Sequence, residues 1–310
     1  MILGTRGSEL ALWQARYVQA ALGGETAGVQ LQIIKTQGDL LLNLPLQNQA
    51  DKGFFTKELE VALADRRIDL AVHSLKDLPT AMPPGLALAA IPPRADVGDV
   101  LFVRPQAHDP TQPMALRPGS RVGTASNRRT ALLRTLAPHV QAEFLRGNVP
   151  TRLGKVLSGA LDAAILARAG VARLNLPHPG VLAFDLDPQV WLPAPGQAAL
   201  GVQARADDAA VLKRLAVLHD PTTAACVDIE RRLLQRTEGG CHAAFGAWAS
   251  LQGEQATVDA GWEREGQWQQ VRVTAPARQV VELTFERLLA NAQGRDMSER
   301  AWCVPAHPWC

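Results

Sequence analysis

Five arginines in the middle of the chain stand where they could bind anions. Thr124-Ala125-Ser126-Asn127-Arg128-Arg129 is followed by Leu145-Arg146-Gly147-Asn148-Val149-Pro150-Thr151-Arg152, and then by Arg173. Near the start, Gly4-Thr5-Arg6-Gly7-Ser8 adds a sixth. A guanidinium presents a rigid fork of donors that matches carboxylate or phosphate, and its charge does not titrate away. Several forks on loops point to a small ligand with several anionic groups. Two further groups could react. Cys241 follows Glu238-Gly239-Gly240 on what reads as an irregular, exposed loop, and Asp77 closes His73-Ser74-Leu75-Lys76-Asp77 at the end of an apolar run. Each has a plain structural alternative: a buried inert thiol for Cys241 and an ion pair with Lys76 for Asp77.

The elements that would carry these residues alternate between strand and helix. Residues 2–5 read as a strand and 8–22 as a helix capped by Ser8; strands at 29–35, 69–73 and 86–91 and a helix at 56–65 follow. A second set has strands at 100–103, 121–123, 142–145 and 162–167, with helices from Ser126 to Leu136 and over 151–157. Such alternation predicts mainly parallel sheets covered by helices. From about residue 207 the order changes. Helices at 209–218 and 222–236 lead to strands at 245–251, 256–262 and 268–274 and a helix at 279–291, an α+β pattern. Residues 40–53 are polar and aperiodic, as a functional flap would be.

In sheets of this kind, ligands gather at the carboxyl ends of strands, where helix starts point backbone donors at anions. Thr5-Arg6-Gly7-Ser8 and Gly123-Thr124-Ala125-Ser126 both have that form. Either alone reads as a plain helix cap with solvated arginines. Two copies in two similar domains favour an anion site between them. Arg152 stands in the first turn of a helix, where a cation opposes the helix dipole, and so favours function over stability. Arg173 alone reads as structural.

Composition narrows the choice. The 310 residues are 47% hydrophobic and 20% charged, enough for two or three domains. A net charge of +2 and only 5% aromatics lack the broad basic footprint of a nucleic-acid binder. The opening residues lead us to expect no secretory leader, and no run of about eighteen apolar residues could span a membrane, so a cytoplasmic location is expected. Cys226, Cys241, Cys303 and Cys310 lack metal-ligand spacing, and no metal site is expected. Cys226 reads as a buried apolar residue, and Cys303 and Cys310 as thiols in a frayed tail.

These motifs carry a resemblance. The chain resembles the porphobilinogen deaminases, or hydroxymethylbilane synthases, through Thr5-Arg6 with Leu10-Ala11-Leu12-Trp13-Gln14-Ala15, through Lys52-Gly53-Phe54-Phe55-Thr56-Lys57-Glu58-Leu59-Glu60, and through Ala71 to Pro79. The stretches 123–129, 145–153 and 238–241 extend it in order over nearly the whole chain. The resemblance implies a transferase that joins four porphobilinogen units with loss of ammonia, on a dipyrromethane cofactor held by a thioether to Cys241. It implies Asp77 as the catalytic aspartate. Arg6, Ser8, Lys52, Phe55, Ser74, Lys76, Thr124, Ser126, Arg128, Arg129, Arg146, Gly147, Arg152 and Arg173 are implied as cofactor- and substrate-binding residues.

The implied fold is α/β with three domains, the first two like periplasmic binding proteins with mainly parallel sheets. They comprise 1–95 with about 196–212, then 99–192, then a smaller α+β domain at 216–310 that carries the cysteine. A monomer is expected, with neither nucleic-acid nor membrane partners. Asn48, Pro150, Pro195 and His242-Ala243-Ala244 depart from the family pattern. Two rival readings are a non-catalytic anion-binding protein, which leaves Cys241 unexplained, and a cysteine hydrolase, for which no base is evident beyond the adjacent His242.

Overall fold

The computed structural model describes residues 1–36, 56–237 and 243–290, together with the backbone of 303–305. The chain forms two compact units, Met1–Ala95 with Gly196–Ala225, and Asp96–Pro195 with Cys226–Cys310.

The chain opens with β1 (Ile2–Thr5) and α1 (Glu9–Ala21), whose Ser8 cap accepts from the Ala11 amide at 3.3 Å. β2 (Gln30–Ile33), α2 (Lys57–Ala64), β3 (Leu70–Ser74) and β4 (Leu86–Ala90) follow. The second unit begins with β5 (Asp99–Val103), β6 (Arg121–Thr124), α3 (Asn127–Leu136) and β7 (Gln141–Phe144). It continues through α4 (Val149–Leu157), β8 (Ala163–Ala167), α5 (Arg168–Leu174) and β9 (Leu182–Leu186). The chain then returns to the first unit with β10 (Leu200–Arg205) and α6 (Ala209–Leu215). After α7 (Pro221–Arg236) come β11 (Phe245–Gln252), β12 (Gln255–Arg264), β13 (Gln267–Pro276), α8 (Val280–Ala290) and β14 (Cys303–Pro305).

Two sheets repeat one plan. The first has the order β2-β1-β3-β10-β4, and the second, leaving aside its edge strand β14, the order β7-β6-β8-β5-β9. In each, the first three strands are mutually parallel, and the fourth (β10 or β5) runs against both its neighbours. Four of five strands therefore share a direction, which gives the mainly parallel α/β architecture that alternation of strand and helix implies. The reversed strands are those where the chain enters the second unit and re-enters the first. The sequence reading contained neither β9 nor β14. The latter pairs with β9, so backbone 303–305 is part of a sheet rather than a frayed tail.

The first sheet buries Leu3, Leu70, Val72 and Val202 against Ala15 and Val18 of α1. The second buries Leu101, Val122 and Ile165 against Leu132 and Leu136 of α3. Each such side chain contributes about 1.5–3 kcal/mol by leaving water. The third sheet, antiparallel β11-β12-β13, packs Ala247, Val258 and Val273 against Leu233 of α7 and Val281 and Leu288 of α8. It shares the second unit because Trp268 of β13 enters the core around Trp191 and Leu192. The Ala247 amide also donates to the Pro193 carbonyl at 3.0 Å. Cys226 is buried in the third sheet's core, in keeping with its apolar reading.

Candidate active site

In the first unit, the carboxyl end of β3 runs into a tight turn at Leu75–Asp77. Leu75 is fully buried, and its amide donates to the Ala199 carbonyl at 3.0 Å, so the turn is anchored from beneath. Asp77 is exposed, and none of the described residues pairs with its carboxylate. Lys76 Nζ lies 3.4 Å from Gln197 Oε1. An exposed carboxylate with no partner among the described residues is available to a ligand. Beside it, Gln14 of α1 donates to Ser74 Oγ at 2.8 Å, tying helix to strand end. Thr5 closes β1 and donates its hydroxyl to the Ala11 carbonyl at 3.1 Å; Arg6, half-buried, follows in the link that leads to the Ser8 cap of α1.

Behind this turn His73 is buried, its Nε2 3.1 Å from Gln203 Oε1. Burial, with the Arg6 charge adding to it, lowers its pKa to about 4 against the opposing effect of the Gln203 hydrogen bond. The imidazole is neutral at physiological pH.

In the second unit, Thr124 ends β6 and accepts from the Ser126 amide at 3.1 Å, while Ser126 caps α3. The next turn holds Arg128 and Arg129. Expected as open forks, they are instead 3% and 5% exposed. Both pair with fully buried Asp99 at the start of β5: Arg128 Nη2 at 2.9 Å from Oδ2, and Arg129 Nη2 at 2.7 Å from Oδ1. Arg129 Nε also donates to Asp99 Oδ2 at 2.9 Å and its Nη1 to the Ile165 carbonyl at 2.8 Å. Arg128 Nη1 donates to the Leu192 carbonyl. Its Nε is buried with no hydrogen-bond partner among the described residues. Desolvation presses the Arg128 guanidinium below its usual range, with Asp99 opposing.

The turn after β7 is built on Gly147, whose φ of +111° is open mainly to glycine, and where a Cβ would lie 2.8 Å from Thr151 Cγ2. Asn148 caps α4 by accepting from the Thr151 amide at 2.9 Å. Arg152 Nε donates to the Gly147 carbonyl at 2.7 Å, so the cation in this first turn has a local structural task. Arg146 extends over the exposed Phe144 ring, 5.3 Å from its centroid. Arg173 lies in the last turn of α5, half-buried.

The structure thus brings Ser74, Lys76 and Asp77 together at the end of β3 in the first unit, and Thr124, Ser126, Arg128 and Arg129 at the end of β6, the counterpart of β1, in the second. Cys241, Lys52, Phe55, Asn48 and the expected flap lie outside the described residues. Sequence reasoning missed Asp99 and Trp191, whose indole Nε1 donates to Asp99 Oδ2 at 2.9 Å. An acid opening an apolar strand, in Asp99-Val100-Leu101-Phe102-Val103, was the available signal. Among the described residues no helix is long and apolar enough to cross a membrane, and no three histidine, cysteine, aspartate or glutamate side chains gather.

Two like-built mixed sheets, one in each unit, with capped helix starts at matching strand ends, and a third, antiparallel sheet within the second unit define an α/β protein. Residues 1–213 match the family described as porphobilinogen deaminase, dipyromethane cofactor binding domain. The porphobilinogen deaminase of Syntrophobacter fumaroxidans is 46% identical over 251 residues, 80% of this chain and 79% of that protein. That of Nitratidesulfovibrio vulgaris is 42% identical over 303 residues, 96% of this chain and 90% of that protein. The chain belongs to the porphobilinogen deaminase family. Among solved structures, a Salmonella typhimurium periplasmic binding protein with high arginine specificity matches with a TM-score of 0.40 at 13% identity, covering 72% of this chain and 93% of that one. A likeness that slight carries no argument.

Proposed function

We propose that this chain joins four porphobilinogen molecules head to tail into the linear tetrapyrrole hydroxymethylbilane, releasing ammonia at each step, on a dipyrromethane primer carried by Cys241 through a thioether. The observation that carries this reading is the exposed, unpartnered Asp77 carboxylate at the end of β3, within the stretch matched to the cofactor-binding domain. The second unit suits the primer's chemistry as well. Among the described residues, two buried guanidinium groups face one carboxylate, which leaves a net positive charge beside the buried Nε of Arg128, an atom with no hydrogen-bond partner among them. A buried excess of positive charge favours a ligand that carries carboxylates.

In this reading Arg6, Ser8, Thr124, Ser126, Arg128, Arg129, Arg146, Arg152 and Arg173 hold or orient acetate and propionate groups, with the Gly147 turn placing Arg146. Lys52, Phe55, Ser74 and Lys76 line the reacting end. When bound, the dipyrromethane supplies the nucleophilic pyrrole carbon from which the product grows. Asp77 holds the pyrrole N–H of the incoming unit, stabilises the positive charge that develops as the amine departs as ammonia, and then takes up the proton released when the new carbon–carbon bond forms. Among the described residues none pairs with that carboxylate.

The chain acts as a monomer on a small molecule in the cytoplasm, without a nucleic-acid partner; its net charge of +2 supports the last point. Its three modules are 1–95 with about 196–212, 99–192 and 216–310. Purified protein supplied with porphobilinogen should release one ammonia per molecule consumed and form tetrapyrrole. Tight substrate binding with no ammonia would leave only a binding protein.

A further inference from the structure

Asp99 is the hub of the most heavily bonded buried cluster near α3. Its Oδ2 accepts from Arg128 Nη2, Arg129 Nε and Trp191 Nε1, each at 2.9 Å, and its Oδ1 from Arg129 Nη2 at 2.7 Å. The repeated sheet plan shows that the fold does not require this cluster. Asp99 opens β5 opposite Ala167 of β8, and the corresponding residue of the first sheet, opening β10 opposite Ser74 of β3, is Leu200. Leu200 is 2% exposed, so an apolar side chain fills that place well. The helix starts differ in the same sense: Ser126 is followed by Asn127-Arg128-Arg129, Ser8 by Glu9-Leu10-Ala11. Buried ion clusters are on average no more stabilising than packed apolar side chains, so stability gives no reason for one sheet alone to keep it.

We propose that Asp99 is a positioning residue for ligand binding, an inference that rests on the function proposed above. Asp99 takes the Nε–Nη2 edge of Arg129 while Nη1 donates to the Ile165 carbonyl, which makes the side chain a fixed strut between β5 and β8. It also grips one end of Arg128 and leaves Nε, in the first turn of α3, as the donor offered to a carboxylate of the primer.

The test uses full-length protein prepared free of primer, exposed to porphobilinogen, with the growth of a covalent adduct followed by intact mass and a melting curve recorded for each sample. Asp99→Asn removes the charge. The double substitution Asp99→Leu with Arg129→Leu gives this sheet the apolar filling of its counterpart and protects the test against misfolding. Both variants are expected to form adduct roughly ten- to hundredfold more slowly than wild type, the equivalent of one misplaced charged hydrogen bond. The double variant is expected to melt within a few degrees of wild type. Adduct formation at the wild-type rate in the folded double variant, or in Asp99→Asn, would overturn the proposal and leave Asp99 a structural counter-ion. Wild type that forms no adduct would instead defeat the functional reading beneath it.

Discussion

Buried His73 should make stability fall steeply in mild acid. The imidazole sits behind the Asp77 turn, with Gln203 as its hydrogen-bond partner, and burial lowers its pKa from 6.5 to about 4. Because the folded pKa is depressed, the unfolded chain binds the proton more readily. The group's contribution is complete above pH 6.5 and is lost progressively as pH falls from 6.5 towards 4. At pH 5.0 an unfolded histidine is about 97% protonated and the folded one about 10%, which corresponds to about 2 kcal/mol of lost stability relative to pH 7.5.

Every other acid-sensitive group, Glu60 at 3.2 Å from Gln203 Nε2 included, is shared by two proteins that differ only at residue 73, so a comparison between them isolates the histidine. Urea unfolding of wild type and His73→Gln at pH 7.5 and 5.0 supplies it, since glutamine can still bond to Gln203 but does not titrate. The wild type should lose about 2 kcal/mol more than the variant over that interval. Equal losses in the two proteins would refute the reasoning, either because the imidazole is hydrated in the folded state or because it protonates without cost.

Gly147→Ala should cost about 2 kcal/mol, since φ is +111° and the new methyl would lie 2.8 Å from Thr151; calorimetry should show melting lowered by roughly 4–8 °C, and an unchanged melting point would contradict the geometry. Arg129→Ala should cost about 3–5 kcal/mol in denaturant unfolding, because it removes three buried charged hydrogen bonds, two to Asp99 and one to the Ile165 carbonyl, while Asp99 keeps Arg128 and Trp191; a loss under about 1 kcal/mol would show that the pair is not needed. Asp77→Asn should lower turnover of porphobilinogen by about a hundredfold or more while stability stays within about 0.5 kcal/mol, because the side chain is exposed and unpartnered. Asp77→Glu should fall between the two, and wild-type turnover in Asp77→Asn would remove Asp77 from the chemistry.

Much of the fold was legible because its signals are local. Ser8 and Ser126 mark helix starts through their own side chains, and Ile2-Leu3-Gly4-Thr5 and Ala163 to Ala167 are short apolar runs that only a buried strand explains. Strand direction was not local in this sense. β5 and β10 run against their neighbours because of where the chain crosses between units, and no residue within Asp99–Val103 or Leu200–Arg205 records that. β9 was missed because Leu182-Ala183-Phe184-Asp185-Leu186 follows a proline- and glycine-containing loop and is only partly buried, so its pattern is weak.

The site shows the same division. The placement of Asp77 just after a strand end and the Gly147 turn could be read from residue type and position. The burial of Arg128 and Arg129 could not, because their partner Asp99 is distant in sequence. Residue type alone does not distinguish an arginine open to solvent from one whose fork a distant buried acid already holds.

The central claim is that a primer of two pyrroles is bonded to Cys241, and the intact mass of the purified protein tests it most directly. Wild type should carry a covalent adduct equal to two linked pyrroles, retained on denaturation, and should keep it when Cys226, Cys303 or Cys310 is replaced by serine. Cys241→Ser should fold, weigh no more than its sequence predicts, and fail to turn over porphobilinogen. An unmodified wild-type chain with full activity, or a fully loaded and active Cys241→Ser protein, would contradict the account.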